Sequence, residues 1–366
     1  MAITTLWLTD FRCFEETSFE PDPDGLTVLR GENGAGKTSV LEAAGWLATQ
    51  RSFRGARREV MVRQGASRAV VRAECRAGPR QVLLEAELPA QGPARLQLNR
   101  QAVHRRGEVA DVLMVSVFSP DDLAMVQEAP AERRQFLDDA LVARQPRYEA
   151  LVSEVERTVR QRAALLRQMA GGLDGDALRT LDVWDSRLAR SGEALAEARE
   201  ELVDVLGPLT QRAYEELSAG EETGGALALG YRRSWSGSLA HALEEARQDD
   251  LRRQATSVGP HRDELDIQIS GRPARTQASQ GEQRSVALSL RLASHLLVTR
   301  ETGRTPVLLL DDVFSELDPR RAAALVGELP PGQVLLTTAV DPPPVVTADR
   351  VVEVTAGRLA GAGPRS

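Results

Sequence analysis

The residues best suited to phosphate chemistry in this chain are Gly31, Glu32, Asn33, Gly34, Ala35, Gly36, Lys37, Thr38 and Ser39. The first eight complete a G-x-x-x-x-G-K-[ST] loop, whose backbone N–H groups converge on phosphate oxygens at a helix N-terminus. Glycines 31, 34 and 36 permit the tight path, Lys37 reaches the β and γ phosphates, and the Thr38 hydroxyl is placed for Mg2+. Lys37 is the only lysine among 46 basic residues. A lysine ammonium is a compact point charge on a thin stem, whereas a guanidinium is a wide planar fork that a loop around a triphosphate has no room for.

A second group lies near the other end of the chain. Val307-Leu308-Leu309-Leu310-Asp311-Asp312 is an apolar run ending in two carboxylates. A buried strand carries such acids to a sheet edge beside a phosphate loop. There Asp311 can hold Mg2+ through water, and Asp312, the candidate catalytic acid alongside Lys37, can orient an attacking water. Ser315-Glu316-Leu317-Asp318 follows, and Ser279-Gln280-Gly281-Glu282 opens a helix upstream. A serine and a glycine at a helix N-terminus make a second anion-binding end. One complete phosphate cradle is already present, so Ser279, Gln280, Gly281, Glu282 and Asp318 are read as contacts to the γ-phosphate of another subunit. That is the ATP-binding-cassette arrangement, with ATP and Mg2+ as cofactors and an ATP-dependent homodimer as the working form.

The hydrophobic pattern traces elements able to position these groups. Leu6 and Leu8, then Leu26 to Leu29, read as strands, the second running into the loop, and a helix is expected from Thr38 to about Ala48. Alternation at Val82, Leu84, Ala86, Leu88, Leu96 and Leu98 gives hairpins split at Ala77-Gly78-Pro79 and Ala90-Gln91-Gly92-Pro93. Val112 to Phe118 reads as a buried strand. From Pro120 to about Gly220 the period is helical. Tyr148, Leu151, Val155, Val159, Leu166 and Met169 mark one stripe; Leu181, Trp184, Leu188, Leu195, Leu202, Val205 and Leu209 mark another, with a turn at residues 170–176. The second helix is expected to run about 30–35 residues, or ~50 Å. The pair is an antiparallel hairpin, either a projecting arm or two core helices. Strands at Leu227–Tyr231 and Leu265–Ile269 follow, with helices near Ser238–Arg253 and Gln280–Arg300, then strands at Val334–Thr338 and Arg350–Val354. The expected fold is α/β. It is an ABC-type ATPase head, a P-loop NTPase with a mixed β-sheet, from residues 1–120 and 255–366, with an inserted mainly helical second lobe, 121–254, carrying a short antiparallel helical arm.

Charge narrows the function class. The chain carries −7 overall, yet residues 51–106 hold thirteen arginines against four acids, a local balance of +9. Such segregation marks a polyanion-binding face on an acidic body. Phe53 is the single aromatic in that window, and single-strand binders usually stack bases on aromatic platforms. Arginines without aromatics suit phosphate contacts along a duplex, so Arg51, Arg54, Arg57 and Arg58 are the candidate DNA contacts. No apolar stretch approaches the ~18 residues of a membrane span, and Met1 to Leu8 alternates like a strand, unlike a signal peptide. Cys13 and Cys75 are too few for a disulfide framework or a cysteine zinc site, and the four histidines lack ligand spacing. A cytoplasmic protein with no membrane role and no structural metal is expected.

Several strings in order resemble the RecF family, the bacterial recombination mediators and head-only relatives of SMC proteins. They are Leu8-Thr9-Asp10-Phe11-Arg12-Cys13-Phe14, the phosphate loop, Phe118-Ser119-Pro120-Asp121-Asp122-Leu123 with Arg133-Arg134-Gln135-Phe136-Leu137-Asp138, Val258-Gly259-Pro260-His261-Arg262-Asp263-Glu264-Leu265, and Leu309 to Asp318. The resemblance implies an ATP-dependent dimer that binds double-stranded DNA near single-strand gaps and ss/ds junctions. It implies slow, DNA-stimulated ATP hydrolysis, and partnership with RecO and RecR in loading RecA recombinase. Arg51-Ser52-Phe53-Arg54 resembles the arginine loop that links DNA to the ATP site in SMC-type heads.

The chain departs from the pattern in three places. Glu282 stands where the family signature commonly has glutamine. Val334-Leu335-Leu336-Thr337-Thr338 ends without the usual histidine, leaving Thr337 or Thr338 as the γ-phosphate switch. For the Q-loop glutamine, Gln64 and Gln127 are the candidates. The competing readings are an ABC-type ATPase subunit coupled to a non-DNA partner, which calls for an apolar coupling groove, and an ATP-gated clamp in which hydrolysis only resets the dimer.

Overall fold

The computed structural model describes residues 1–103, 106–169, 175–218, 225–329, 331–340 and 346–361. The chain begins β1 (Ala2–Phe11), β2 (Phe14–Phe19), β3 (Leu26–Arg30), α1 (Lys37–Thr49), α2 (Arg58–Met61), β4 (Arg68–Ala77), β5 (Arg80–Pro89), β6 (Arg95–Leu98), β7 (Gln101–Ala102), α3 (Arg106–Ala110) and β8 (Val115–Phe118). Then come α4 (Ala124–Gln127), α5 (Pro130–Arg144), α6 (Tyr148–Met169), α7 (Gly175–Leu217), β9 (Leu227–Arg232), α8 (Leu239–Arg253), β10 (Glu264–Ile269), β11 (Arg272–Pro273) and α9 (Ala274–Gln277). The last elements are α10 (Gln280–Thr302), β12 (Val307–Asp311), α11 (Pro319–Glu328), β13 (Val334–Thr338), β14 (Arg350–Thr355) and β15 (Arg358–Gly361). Two compact units result: one is Met1–Asp122, Glu216–Ala219 and Leu288–Ser366, the other Leu123–Glu215 and Gly220–Ala287.

The first unit holds two six-stranded sheets. One, ordered β15-β14-β3-β13-β12-β8, is parallel apart from the β14–β15 hairpin. All five residues of β12 are buried, as expected for a strand covered on both faces. The other sheet, β2-β1-β4-β5-β6-β7, is antiparallel and alternates: Ala69, Val71, Ala73 and Cys75 of β4 face the core while Arg68, Arg72 and Glu74 face outward. Helix α1 is buried on nearly every side, and Val40, Leu41, Ala44 and Leu47 share one core with Leu6 and Leu84 of the antiparallel sheet and Leu309 and Leu335 of the parallel one. A leucine-to-alanine change in such a core costs about 2–5 kcal/mol. Burying α1 in this way fixes the helix N-terminus, and with it the phosphate loop. The run expected as a strand from Val112 pairs only from Val115, because Val112 and Leu113 donate backward to Val109 and close the end of α3.

The second unit is mainly helical, with the small sheet β11-β10-β9. Helices α6 and α7 run antiparallel, shown by Arg187 reaching Glu154, Arg162 reaching Asp185, and Leu166 packing with Leu181. At 43 residues α7 exceeds the expected length, because its apolar repeat (Leu181, Leu188, Leu195 and Leu202, all buried) carries on to Leu206, Tyr214 and Leu217. Residues 170–174 of the expected turn lie outside the described residues; Gly175 and Asp176 begin α7. The stripe expected on α6 is rotated. Val155, Leu166 and Met169 are buried, but Thr158 and Arg162 occupy the inner face and Val159 does not. Arg162, 0% exposed, donates to Asp185 at 2.6 Å, Asp250 at 2.6 Å and Thr256 at 3.0 Å, so one guanidinium ties α6, α7 and α8 together.

The second unit also takes in residues 255–287, which the sequence reading assigns to the head. Strand β10 pairs along its whole length with β9, and Arg133 and Arg134 of α5 bond to Glu264 and to the Asp263 carbonyl. The motifs around Arg133–Asp138 and Val258–Leu265 therefore form one polar network. Arg199 completes it, donating to Asp138 at 2.7 and 2.8 Å and to the Pro260 carbonyl at 2.7 Å.

Candidate nucleotide site

Strand β3 ends at Arg30 and the chain passes through the loop directly into α1. Gly34 and Gly36 have φ of 83° and 110°, backbone conformations that favour glycine. A Cβ at Gly36 would lie 2.6 Å from Cys13 Sγ, so the β1–β2 turn packs tightly against the loop. A Cβ at Gly31 would collide with the Val354 carbonyl. Lys37 curls back over the loop, its Nζ donating to the carbonyls of Gly31 at 2.7 Å and Glu32 at 2.9 Å.

The parallel pairing β3-β13-β12 aligns the C-terminal ends of three strands, with Thr337 opposite both Leu29 and Asp311. Asp311 Oδ1 accepts hydrogen bonds from Thr38 Oγ1 and Thr337 Oγ1, each at 2.7 Å. Burial pushes this carboxyl above its ordinary range, opposed by the two hydroxyls and by the positive charge of Arg54. Asp312 has φ of 50°, and its amide donates to the Thr337 carbonyl at 3.2 Å and to Thr337 Oγ1 at 3.0 Å. Its Oδ1 is buried without a hydrogen-bond partner among the described residues. An unpaired buried carboxylate oxygen is costly in isolation. Thr337 lines the cleft, whereas Thr338 turns its hydroxyl to the Val340 carbonyl.

These residues face a cleft of about 690 Å³. Asn33, Gly34, Gly36, Lys37, Thr38, Ser39, Thr337 and Asp312 form its phosphate-loop end. Arg12 and Cys13 from the β1–β2 turn, and Arg54, Glu59, Val60, Val62 and Gln64, form the rest. Composition flagged the arginine loop, but nothing in the sequence marked its far end, Glu59 to Val62, as a cleft wall. Gln64 lies on the cleft, while Gln127 belongs to the second unit and donates to Gln283 at 2.7 Å.

The arginine window divides in space. On the antiparallel sheet and its flank, Arg63 pairs with Asp10 at 2.7 Å, Arg68 with Glu87 and Arg72 with Glu85 at 3.0 Å, and Arg76 with Asp24. The +9 read along the sequence is therefore not a uniform basic face. Among the four candidate DNA contacts, Arg51 and Arg57 are exposed, Arg58 donates to the Gly92 carbonyl, and Arg54 borders the nucleotide cleft.

Ser279 and Glu282 begin α10 as a reciprocal capping box. The Glu282 amide donates to Ser279 Oγ at 3.2 Å, and the Ser279 amide donates to the Glu282 carboxylate at 2.7 Å. A capping box takes glutamate or glutamine at that position, so the glutamate here keeps the helix start intact. Gln280 and Gly281 form the first helical turn between them. Asp318 caps α11, accepting from the amides of Arg320 and Arg321, and these bonds hold its carboxyl below the ordinary range.

Residues 2–358 match the RecF/RecN/SMC N terminal domain model. The DNA replication and repair protein RecF of Streptomyces avermitilis is 43% identical over 357 residues, covering 93% of this chain and 94% of that protein. The chain belongs to the RecF family. The recombination mediator protein RecF of the RecFOR pathway, solved as RecF-ATP, superposes with a TM-score of 0.90 at 26% identity, covering 99% of this chain and 98% of that one. A likeness at 16% identity to an Smc head bound to the C-winged helix domain of ScpA, TM-score 0.56 over 99% of this chain, shows the fold alone. The ABC-type ATPase head with helical content expected from sequence is thus the fold of this RecF-family member. No helix among its described residues is long and apolar enough to cross a membrane.

Proposed function

We propose that this RecF-family chain binds ATP with Mg2+ in the cleft, closes with a second copy over the two nucleotides, and does so on duplex DNA near single-strand gaps and ss/ds junctions. In this reading it is a slow, DNA-stimulated cytoplasmic ATPase that works with RecO and RecR to load RecA recombinase. The observation that carries it is the meeting of Lys37, Thr38 and Asp312, far apart in sequence, on one cleft that Arg54 also lines, with Asp311 hydrogen-bonded to Thr38 beside it. The RecF-ATP relative supports ATP as the nucleotide.

The residues present fit the group. Loop amides and Lys37 suit the β and γ phosphates, and the Lys37 ammonium would exchange its carbonyl partners for phosphate oxygens. Thr38 Oγ1 and Asp311 are close enough to share one divalent cation, which when bound would neutralise charge gathering on the phosphates. Asp312 brings an unpaired buried oxygen to the same end, suited to orienting a water. Ser279 keeps its hydroxyl proton free to donate, since the capping box uses that oxygen only as an acceptor. Its amide is engaged by Glu282, so the trans contact would rest on the hydroxyl and on the helix end.

For DNA, the exposed Arg51 and Arg57 with Arg54 and Arg58 suit sequence-independent phosphate contacts. Reversing the charge of Arg54, Arg57 and Arg58 together should weaken duplex binding and flatten its dependence on salt, since each lost phosphate contact lowers the log–log salt slope by about 0.9. Unchanged affinity and slope in the triple variant would remove these arginines from the DNA interface.

A further inference from the structure

One buried carboxylate of the first unit is engaged at once by a residue of the cleft wall, Arg12, and by Ser52 of the turn that precedes Arg54. Glu42 is 0% exposed and lies on α1, close behind the phosphate loop. It is absent from the cleft lining, yet its two oxygens hold groups that connect to it. Arg12 Nε donates to Oε2 and Arg12 Nη2 to Oε1, both at 2.7 Å, a bidentate pair. Ser52 Oγ donates to the same Oε1 at 2.5 Å. Arg12 lines the cleft, its backbone turned left-handed at φ 54°, and also donates to the Val60 carbonyl at 3.1 Å. Ser52 in turn accepts from the amides of Arg54 and Ala56, each at 3.2 Å, closing the turn that presents Arg54. Phe53 seats the loop on the same helix, 3.3 Å from where a Cβ of Gly45 would stand.

A carboxylate shared in this way couples its partners. If Ser52 moves, Oε1 loses or gains a donor, and the bidentate geometry that aims Arg12 changes with it. A polyanion drawing on the exposed arginines of the loop pulls on the turn that Ser52 closes; a nucleotide in the cleft acts on Arg12 and Arg54 directly. The arginine leaves acceptor sites free on the Glu42 oxygens, and the serine takes one of them, so a single carboxylate holds both groups.

We propose that Glu42 and Ser52 are positioning residues that make the basic loop and the nucleotide cleft report to each other, so that duplex binding and nucleotide binding are thermodynamically coupled through the Glu42 carboxylate. This rests on the reading that the loop binds duplex DNA and the cleft binds ATP. By linkage the coupling is reciprocal: the factor by which duplex changes nucleotide affinity equals the factor by which nucleotide changes duplex affinity.

The test uses the full chain, ATPγS with Mg2+ as nucleotide and a short blunt duplex. Each ligand's dissociation constant is measured with and without the other for the parent, Ser52→Ala and Ser52→Thr. The parent is expected to show a coupling factor of about fivefold or more, the lower end for coupled sites. Ser52→Ala should bring the factor to within about twofold of unity while each ligand alone still binds. Ser52→Thr keeps the hydroxyl and should restore the coupling, which a merely structural serine would not require. Coupling retained in Ser52→Ala overturns the proposal and leaves the function intact. A parent that binds both ligands without coupling does the same. A parent that binds no duplex overturns the functional reading and the proposal with it.

Discussion

Thr337 bonds both the Asp311 carboxylate and the Asp312 backbone amide, and replacing it with valine is the sharpest perturbation of the site. The side chain is 0% exposed, so the isosteric change leaves packing nearly intact. It removes the hydroxyl that donates to Asp311 Oδ1 at 2.7 Å and accepts from the Asp312 amide at 3.0 Å. The amide keeps the Thr337 carbonyl at 3.2 Å, so the second loss is partly covered. The first is not, because Thr38 becomes the sole hydroxyl on a carboxylate already pushed upward by burial. A hydrogen bond to a charged group contributes about 1.5–3 kcal/mol, or roughly ten- to a hundredfold in an equilibrium constant. Thr337→Val should therefore weaken Mg2+-dependent ATP binding by on the order of tenfold or more, and metal-free ATP binding by much less. The deficit should grow as pH falls, since protonation of Asp311 competes with the cation and the lost hydroxyl favours the protonated form. Calorimetric titration with and without Mg2+ across pH, with a melting curve as a control for folding, measures it. Mg2+–ATP affinity within twofold of the parent at every pH would refute the assignment of Asp311 to the cation and of Thr337 to its support.

Two further expectations concern stability. Arg162→Met leaves Asp250, 0% exposed, without its guanidinium in the second unit, and breaking a buried pair costs about 3–5 kcal/mol. A thermal melt should fall by about 10 °C or more, and a loss below about 1 kcal/mol would show that Ser257, which also bonds Asp250, carries the site alone. His295 is buried beside Ser116, and burial lowers it to about 4 from 6.5. Its folded value lies below its unfolded one, so the unfolded chain binds the extra proton and stability falls as pH drops from 6.5 toward 4, by up to roughly 3 kcal/mol. Denaturant unfolding of His295→Gln across that range should show a shallower decline than the parent, and parallel curves would contradict it.

The parts legible in the sequence are those that local chemistry specifies. The phosphate loop, the apolar run into Asp311 and Asp312, and the hairpins of β4 to β6 each depend on residues near one another, and each stands where its pattern places it. Contacts across the fold left no such trace. Arg12, Glu42 and Ser52 meet only because the β1–β2 turn and the arginine loop both fold onto α1. Arg162 looks like a solvated residue on a helical stripe until α8 supplies Asp250. The arginine window misled in part because cross-strand register decides which charges are paired: Arg72 lies opposite Glu85, and Arg68 reaches Glu87 of the same neighbouring strand. The head boundary moved from 255 to 288 for a similar reason. Strand β10 pairs with β9, and strand pairing cannot be read from either segment alone.

The central claim is that Lys37, Asp311 and Asp312 of one copy are completed by Ser279 of another around ATP. Sedimentation of Asp312→Asn with ATP and Mg2+ tests it most directly. Asparagine tolerates the left-handed backbone at φ 50° and keeps the site's shape while removing the acid. This variant should accumulate as an ATP-bound dimer, and adding Ser279→Arg should return it to monomer. An Asp312→Asn protein that binds ATP yet stays monomeric would contradict the shared site.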